Sequence, residues 1–296
     1  MAARGLGLST LMDMKTSTRS GTSGALERAG FLIVNADDWG RDYENTERTR
    51  ECIARGTVSS VSGMVFMEDS ERAAAIAREQ GIDVGLHLNF TTAFSAHSVP
   101  NRLAEHQGRL ARYLRKHRLA QVVYHPGLVS SFEYVVASQR DEFCRLYGAE
   151  LSRLDGHHHM HLCANVVLGK LLPAGTLVRR NFSFRPGEKS SANRLYRQAV
   201  DYQLARRHRV VDYLFSLPPL EPRSRLQGIF SLASCSMVEL ETHPIHPVEH
   251  DFLLGGEFLQ LTASIQIAPH SAVLKSRIPM GDLIAGEKSD LRCLDS

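Results

Sequence analysis

The sequence predicts an α/β protein built as a distorted TIM-like (β/α) barrel. Short apolar runs alternate with helical patterns from Phe31 onward, which is the signature of a parallel sheet with helical crossovers. Titratable residues recur where those runs end, at Asp37-Asp38, His87, His157 to His161 and His243. Reactive groups at the carboxyl ends of successive strands favour a barrel over an open doubly wound sheet.

Composition sets the outer limits. The 296 residues are 43% hydrophobic and 23% charged, enough for a substantial core. The net charge of +3 comes without a long block of like charge, so no nucleic-acid face is expected. Cys52, Cys144, Cys163, Cys235 and Cys293 are scattered without C-x-x-C spacing and read as reduced thiols of a cytoplasmic protein. No apolar run is long enough to span a bilayer. Residues 1–30, rich in Ser, Thr, Gly, Ala and Arg, lack a secretory h-region and are expected to be a disordered extension or the product of an upstream start. Asp13 and Glu27 weaken a transit-peptide reading. Residues 31–275 are expected to form one barrel domain and 276–296 a polar tail.

The first strand is Phe31-Leu32-Ile33-Val34, buried on both faces, and it runs into Asn35-Ala36-Asp37-Asp38-Trp39-Gly40. One of two adjacent carboxylates could cap a helix, but the second would gain little there. Alternation along an extended chain predicts that Asp37 and Asp38 point in different directions and serve different roles. A helix from Glu44 to Arg55 should stop at Gly56, and a second from Asp69 to Gln80 at Gly81, with a strand within Thr57–Val65 between them. Val84 to Phe90 is the third strand. A lone histidine in such a run usually packs in a core, but His87 lies in register with the Asp pair and the His cluster, which favours a ligand.

Thr91 to Pro126 is basic and polar with weak helical periodicity near Arg102–Arg118. It reads as an excursion over the barrel face that could form part of a substrate wall, its basic residues on a solvated helix face. Val129 to Tyr147 is a clear helix, with Phe132, Val135, Val136, Phe143 and Leu146 near helical spacing. Glu150 to Leu154 is a strand that delivers the chain to His157-His158-His159-Met160-His161. Such a cluster by itself can be an inert patch; at a strand end it gains a mechanism, because neutral imidazole is a common nitrogen ligand for zinc-like ions.

Helical pattern over Leu162–Leu172, a strand over Thr176–Arg180, a helix over Asn193–Arg207 and a strand over Val210–Phe215 follow. Pro218, Pro219 and Pro222 mark a loop. Ser236 to Thr242 is the last strong strand, ending in His243-Pro244-Ile245-His246. No G-x-G-x-x-G, P-loop or G-x-S-x-G motif occurs, which argues against dinucleotide, nucleoside-triphosphate and serine-hydrolase chemistry.

Asn35 to Gly40, Gly85-Leu86-His87-Leu88-Asn89, Asp155 to His161 and Glu241-Thr242-His243-Pro244 together resemble the YdjC-like carbohydrate deacetylases, which include chitooligosaccharide and hopanoid-associated members. The resemblance spans Phe31 to Pro244. It implies a distorted barrel, one divalent metal ion (Zn, Mg, Mn, Co or Ni) and removal of the acetyl group from an N-acetylated amino sugar. It further implies that Asp38, His87 and His157 hold the metal, that Asp37 is the general base and that His243 is the general acid. His159 and His161 would lie around the pocket, with His158 packed away. Trp39 departs from the family's usual Phe, and the segment after Pro244 looks short and irregular.

The chemistry agrees with that implication. An amide carbonyl is a poor electrophile and needs a Lewis acid, a base for the attacking water and an acid for the departing amine. A divalent-metal hydrolase of another amide or a phosphoester, or a non-catalytic sugar-binding barrel, are the alternatives, and the intact Asp pair argues against the last. The expected partner is a small N-acetyl amino sugar, and a homodimer is compatible with the sequence.

Overall fold

The computed structural model describes residues 30–116, 118–184 and 188–275. The expected N-terminal extension, the polar tail after residue 275 and Cys293 lie outside them. Seven strands form one all-parallel curled sheet: β1 (Phe31–Trp39), β2 (Ser60–Gly63), β3 (Val84–Leu88), β4 (Arg153–Gly156), β5 (Leu177–Val178), β6 (Tyr213–Ser216) and β7 (Met237–Thr242). Their order is β5-β4-β3-β2-β1-β7-β6. The two edges approach each other through a parallel bridge between Leu177 and Arg209 and a hydrogen bond from Ser183 N to Leu214 O of 2.8 Å. The sheet is thus a distorted TIM-like barrel with its weakest seam between β5 and β6.

Alternation along the strands sorts the side chains into two environments. Leu32, Val34, Ala36, Leu86, Leu88, Leu154, Val178, Val238 and Leu240 point outward into the main core beneath the helices. Phe31, Ile33, Leu177 and Met237 point inward and plug the base of the barrel with Val211, Ala268 and Val273. Above that plug the inward positions turn polar: Asn35, Ser60, Ser62, Arg153 and Glu239, then Asp37, His87, Asp155, Arg179 and Glu241, all buried. Gly85 is the inward residue of β3 beside Arg153, and a Cβ there would lie 2.5 Å from Arg153 Cζ. Its missing side chain makes room for the guanidinium.

Helices α1 (Tyr43–Ala54), α2 (Ser70–Gln80), α3 (Asn101–Lys116) and α4 (Val129–Tyr147) follow the expected positions. The chain leaves α1 and α2 at Gly56 and Gly81, both at positive φ, 78° and 66°. The 91–126 excursion is better ordered than its weak periodicity suggests: α3 buries Leu103, Leu110 and Leu114 and packs on α4. Next come α5 (Ala164–Leu168), α6 (Ser191–Ala205) and α7 (Arg223–Leu232), the last directly after the proline-marked loop.

The segment after Pro244 is not irregular. It forms α8 (Pro247–Leu254) and α9 (Gly256–Leu261), with α10 (Ser271–Lys275) beyond. Pro247 sits in the first turn of α8, where its missing N–H costs nothing. The 266–268 stretch pairs with Leu32 and closes the barrel base. Among the described residues no helix is long and apolar enough to cross a membrane, and Cys52, Cys144, Cys163 and Cys235 are unpaired.

Candidate metal centre and active site

Asp38 reaches the barrel mouth through a distortion of β1. Residues 36 and 39 pair with 61 and 63 of β2, so β1 carries one extra residue there, and Asp38 takes a left-handed φ of 65°. Such strain in a buried non-glycine residue is typical of functional sites. The bulge also corrects the expectation from alternation: Asp37 and Asp38 do not diverge. His87 Nε2 lies 3.9 Å from Asp37 Oδ2 and 3.4 Å from Asp38 Oδ1.

His87, from β3, is fixed by Asp155 on β4. Its Nδ1 stands 2.7 Å from Asp155 Oδ1, and since a carboxylate only accepts, Nδ1 carries the proton. Nε2 is then the nitrogen aimed at Asp38. His157, at the end of β4, places Nδ1 2.9 Å from Asp38 Oδ1 while Nε2 lies 3.0 Å from Thr92 Oγ1. Each imidazole thus has one nitrogen tied to the protein and one turned toward the same carboxylate oxygen, the outer-shell arrangement of metal-binding histidines. Arg41 donates to the other oxygen, Asp38 Oδ2, at 3.0 Å.

Asp38 Oδ1 and His87 Nε2 are buried without a hydrogen-bond partner. Ligand atoms of Asp38, His87 and His157 lie within 4.8 Å of one another. Burial disfavours a charged His87, but the carboxylates of Asp37, Asp155 and Asp38 outweigh it and push its pKa up to about 10. Burial would likewise raise Asp38, yet the close approach and charges of His157 and His87 hold it well below the usual carboxylate range. The pocket therefore favours a positive charge, and a mixed nitrogen and oxygen donor set with unpartnered buried atoms fits a divalent ion.

The rest of the His cluster winds through a strained turn in which His158 and His159 both take positive φ, 54° and 56°. His158 is exposed rather than packed away, its Nδ1 3.0 Å from Thr91 Oγ1 and its ring 4.0 Å from that of His157. The turn lifts it out of the barrel. His159 pairs with Glu241 at 3.1 Å and lies against Phe182. His161 is buried, burial pushes its pKa down to about 3, and Nε2 donates to the Arg179 carbonyl at 2.9 Å.

Asp37 lies beside the cluster with both oxygens held by Arg179, at 2.7 Å each, and Asn35 Nδ2 donating to Oδ1 at 2.7 Å. His243, half-buried after β7, has a ligand-capable nitrogen within 4.8 Å of Asp37 and Glu241. Its backbone N donates to Glu249 Oε2 on α8 at 2.9 Å, and Thr242 Oγ1 to the same oxygen at 2.7 Å. A groove of about 440 Å³ is lined by Thr91, Thr92, Leu114, Arg115, Gln121, His158 and Met160, so the end of α3 shares it with Thr92, the hydroxyl partner of His157.

All five residues expected at the site, Asp37, Asp38, His87, His157 and His243, thus gather at one end of the barrel. Arg179, Asp155 and Thr92 escaped the sequence reading as working residues. Asp155 was legible in principle, because it stands at an inward position of β4 directly paired with His87; Arg179 showed only as a basic residue ending a short strand.

Residues 31–262 match the family model described as YdjC-like protein. A chitooligosaccharide deacetylase of Serratia marcescens is 33% identical over 135 residues, 45% of this chain and 51% of that protein. One of Enterobacter sp. (strain 638) is 28% identical over 177 residues, 60% of this chain and 64% of that protein. The chain thus spans about half the length of the first relative and less than two thirds of the second. A crystal structure from Enterococcus faecalis V583, assigned provisionally to cellobiose-phosphate cleavage, superposes with a TM-score of 0.57 at 17% identity, covering 82% of this chain and 98% of that one. That likeness bears on the fold alone.

Proposed function

The chain belongs to the YdjC-like family, and from that premise we propose that it is a metal-dependent hydrolase that removes the acetyl group from an N-acetylated amino sugar or its conjugate. The observation that carries the proposal is the convergence of Asp38, His87 and His157 on one point, with Asp37 and His243 beside it. Relatives named chitooligosaccharide deacetylases support the substrate class.

A divalent ion held by Asp38, His87 and His157 would supply Lewis acidity for the acetyl carbonyl and lower the pKa of the attacking water. The protein's own groups do the rest. Asp155 fixes which nitrogen of His87 is turned toward Asp38, and Thr92 holds the far nitrogen of His157, which leaves His87 Nε2 and His157 Nδ1 on the Asp38 side. Asp37, immobilised by Arg179 and Asn35, accepts the proton of the attacking water. His243 donates a proton to the amine nitrogen as the carbon–nitrogen bond breaks; without it the leaving group would be an amide anion. Its backbone is fixed by Pro244 on one side and Glu249 on the other. The groove at Thr92 has the size of a small-molecule site and offers Thr, Gln and Arg donors to sugar hydroxyls.

The direct test is acetate release from N-acetylglucosamine and its oligomers by the metal-loaded protein, with an aryl phosphate ester assayed in parallel. Acetate formation that disappears on chelation and returns with metal is expected. Phosphate release without acetate release would replace the deacetylase reading with phosphoester hydrolysis.

A further inference from the structure

Three overlapping groups in the barrel mouth each bring three ligand atoms within 4.8 Å: Asp38–His87–His157, Asp37–Glu241–His243 and Asp37–His87–Asp155. By donor type alone each could take a cation. One buried side chain distinguishes them. Arg179 donates Nε to Glu239 Oε1 at 2.7 Å, Nη1 to Asp37 Oδ2 at 2.7 Å and to Glu241 Oε2 at 3.1 Å, and Nη2 to Asp37 Oδ1 at 2.7 Å. Nη2 also stands 3.1 Å from Asp155 Oδ2. A guanidinium has five N–H donors, and here five contacts reach four carboxylates. Every carboxylate of the second and third groups, Asp37, Glu241 and Asp155, is paired with it. Asp38 pairs instead with Arg41 and the two histidines.

We infer that Arg179 sets the number and position of bound cations: it stands where a second ion would sit among Asp37, Glu241 and Asp155, and leaves the Asp38 group as the single metal site. A cation in either competing group would face the guanidinium's fixed positive charge and would have to break its bidentate bond to Asp37. The same bond separates the tasks of two neighbouring aspartates. Asp37 has both oxygens engaged by the guanidinium and stays off the ion, whereas Asp38 Oδ1 faces only the two imidazoles that would share the ion with it. This rests on the reading of Asp38, His87 and His157 as the ligands.

The test uses the full chain, stripped with a chelator and titrated with Mn(II), with equilibrium binding and electron paramagnetic resonance as readouts. Wild type is expected to bind about one ion per chain, with the hyperfine signal of an isolated ion, and Asp38→Asn to lose it. Arg179→Met, checked for folding by circular dichroism, is expected to bind about two ions whose signal is broadened by mutual coupling, and adding Glu241→Gln should return it to about one. Arg179→Lys keeps one positive charge and should stay at about one ion. A second ion of comparable affinity in wild type or in Arg179→Lys overturns the inference, as does a single uncoupled ion in folded Arg179→Met. Should Arg179→Met not fold, the wild-type and Arg179→Lys titrations decide. An ion retained by Asp38→Asn would instead overturn the ligand reading beneath it.

Discussion

His87 and Asp155, 68 residues apart in the chain, face each other across adjacent strands with Nδ1 2.7 Å from Oδ1 in the buried heart of the barrel. This contact decides which nitrogen of His87 is left for Asp38. Asp155→Asn should therefore weaken metal binding by about 10- to 100-fold, the usual cost of removing a partner that orients a ligating histidine. Calorimetric titration of the stripped protein measures it, and an unchanged affinity would show that the ring is oriented by other contacts.

Asp37 and Asp38 should fail in different ways although they are neighbours. Asp38→Asn should lose the metal. Asp37→Asn should keep it and lose about two to four orders of magnitude in turnover, the range expected for a general base. Elemental analysis alongside the acetate assay separates the two, and equal metal loss in both variants would contradict the division of labour.

His243→Ala should fold, bind metal and hydrolyse the amide poorly. It should retain far more activity on an aryl acetate ester, because a phenolate departs without being protonated. The ratio of amide to ester rates is the readout; a parallel fall in both would remove His243 from the role of acid.

Acid should expose the polar layer of the barrel. Burial would raise the Glu239 carboxyl, but the charges of Arg179 and His270 outweigh it and bring its pKa down to about 2 from an ordinary 4.5. A carboxyl depressed in the folded state stabilises fully above its unfolded pKa, and that contribution is lost as pH falls from about 4.5 toward about 2. The shift corresponds to roughly 3 kcal/mol at neutral pH. Glu239→Gln should thus be less stable than wild type at pH 7, with the gap shrinking steadily as pH falls through that window. Urea unfolding at several pH values checks this, and a gap independent of pH would mean that the Arg179 pairing contributes nothing through titration.

Sequence by itself determined the alternating parallel architecture, the ends of α4 and the strand ends that carry reactive residues, while the choice of His157 from its cluster came from the YdjC-like resemblance. Those depend on local rules, namely the period of the apolar positions, glycine stops and reactive side chains at strand ends. Tertiary structure alone decided what surrounds each of the five residues at the mouth. Arg179 joins Asp37 across 142 positions and Glu239 across 60, and no periodicity records such pairs. The one-residue bulge at Asp38 turns both aspartates inward against the alternation that an extended strand predicts. The amphipathic α3 and the helices after Pro244 gain their order from the surfaces they cover, Leu110 on α4 and Glu249 against Thr242. Local pattern marks which residues are reactive, but their charges and hydrogen bonds act through space, so only the closed barrel shows which of them converge on Asp38 and which pair with Arg179.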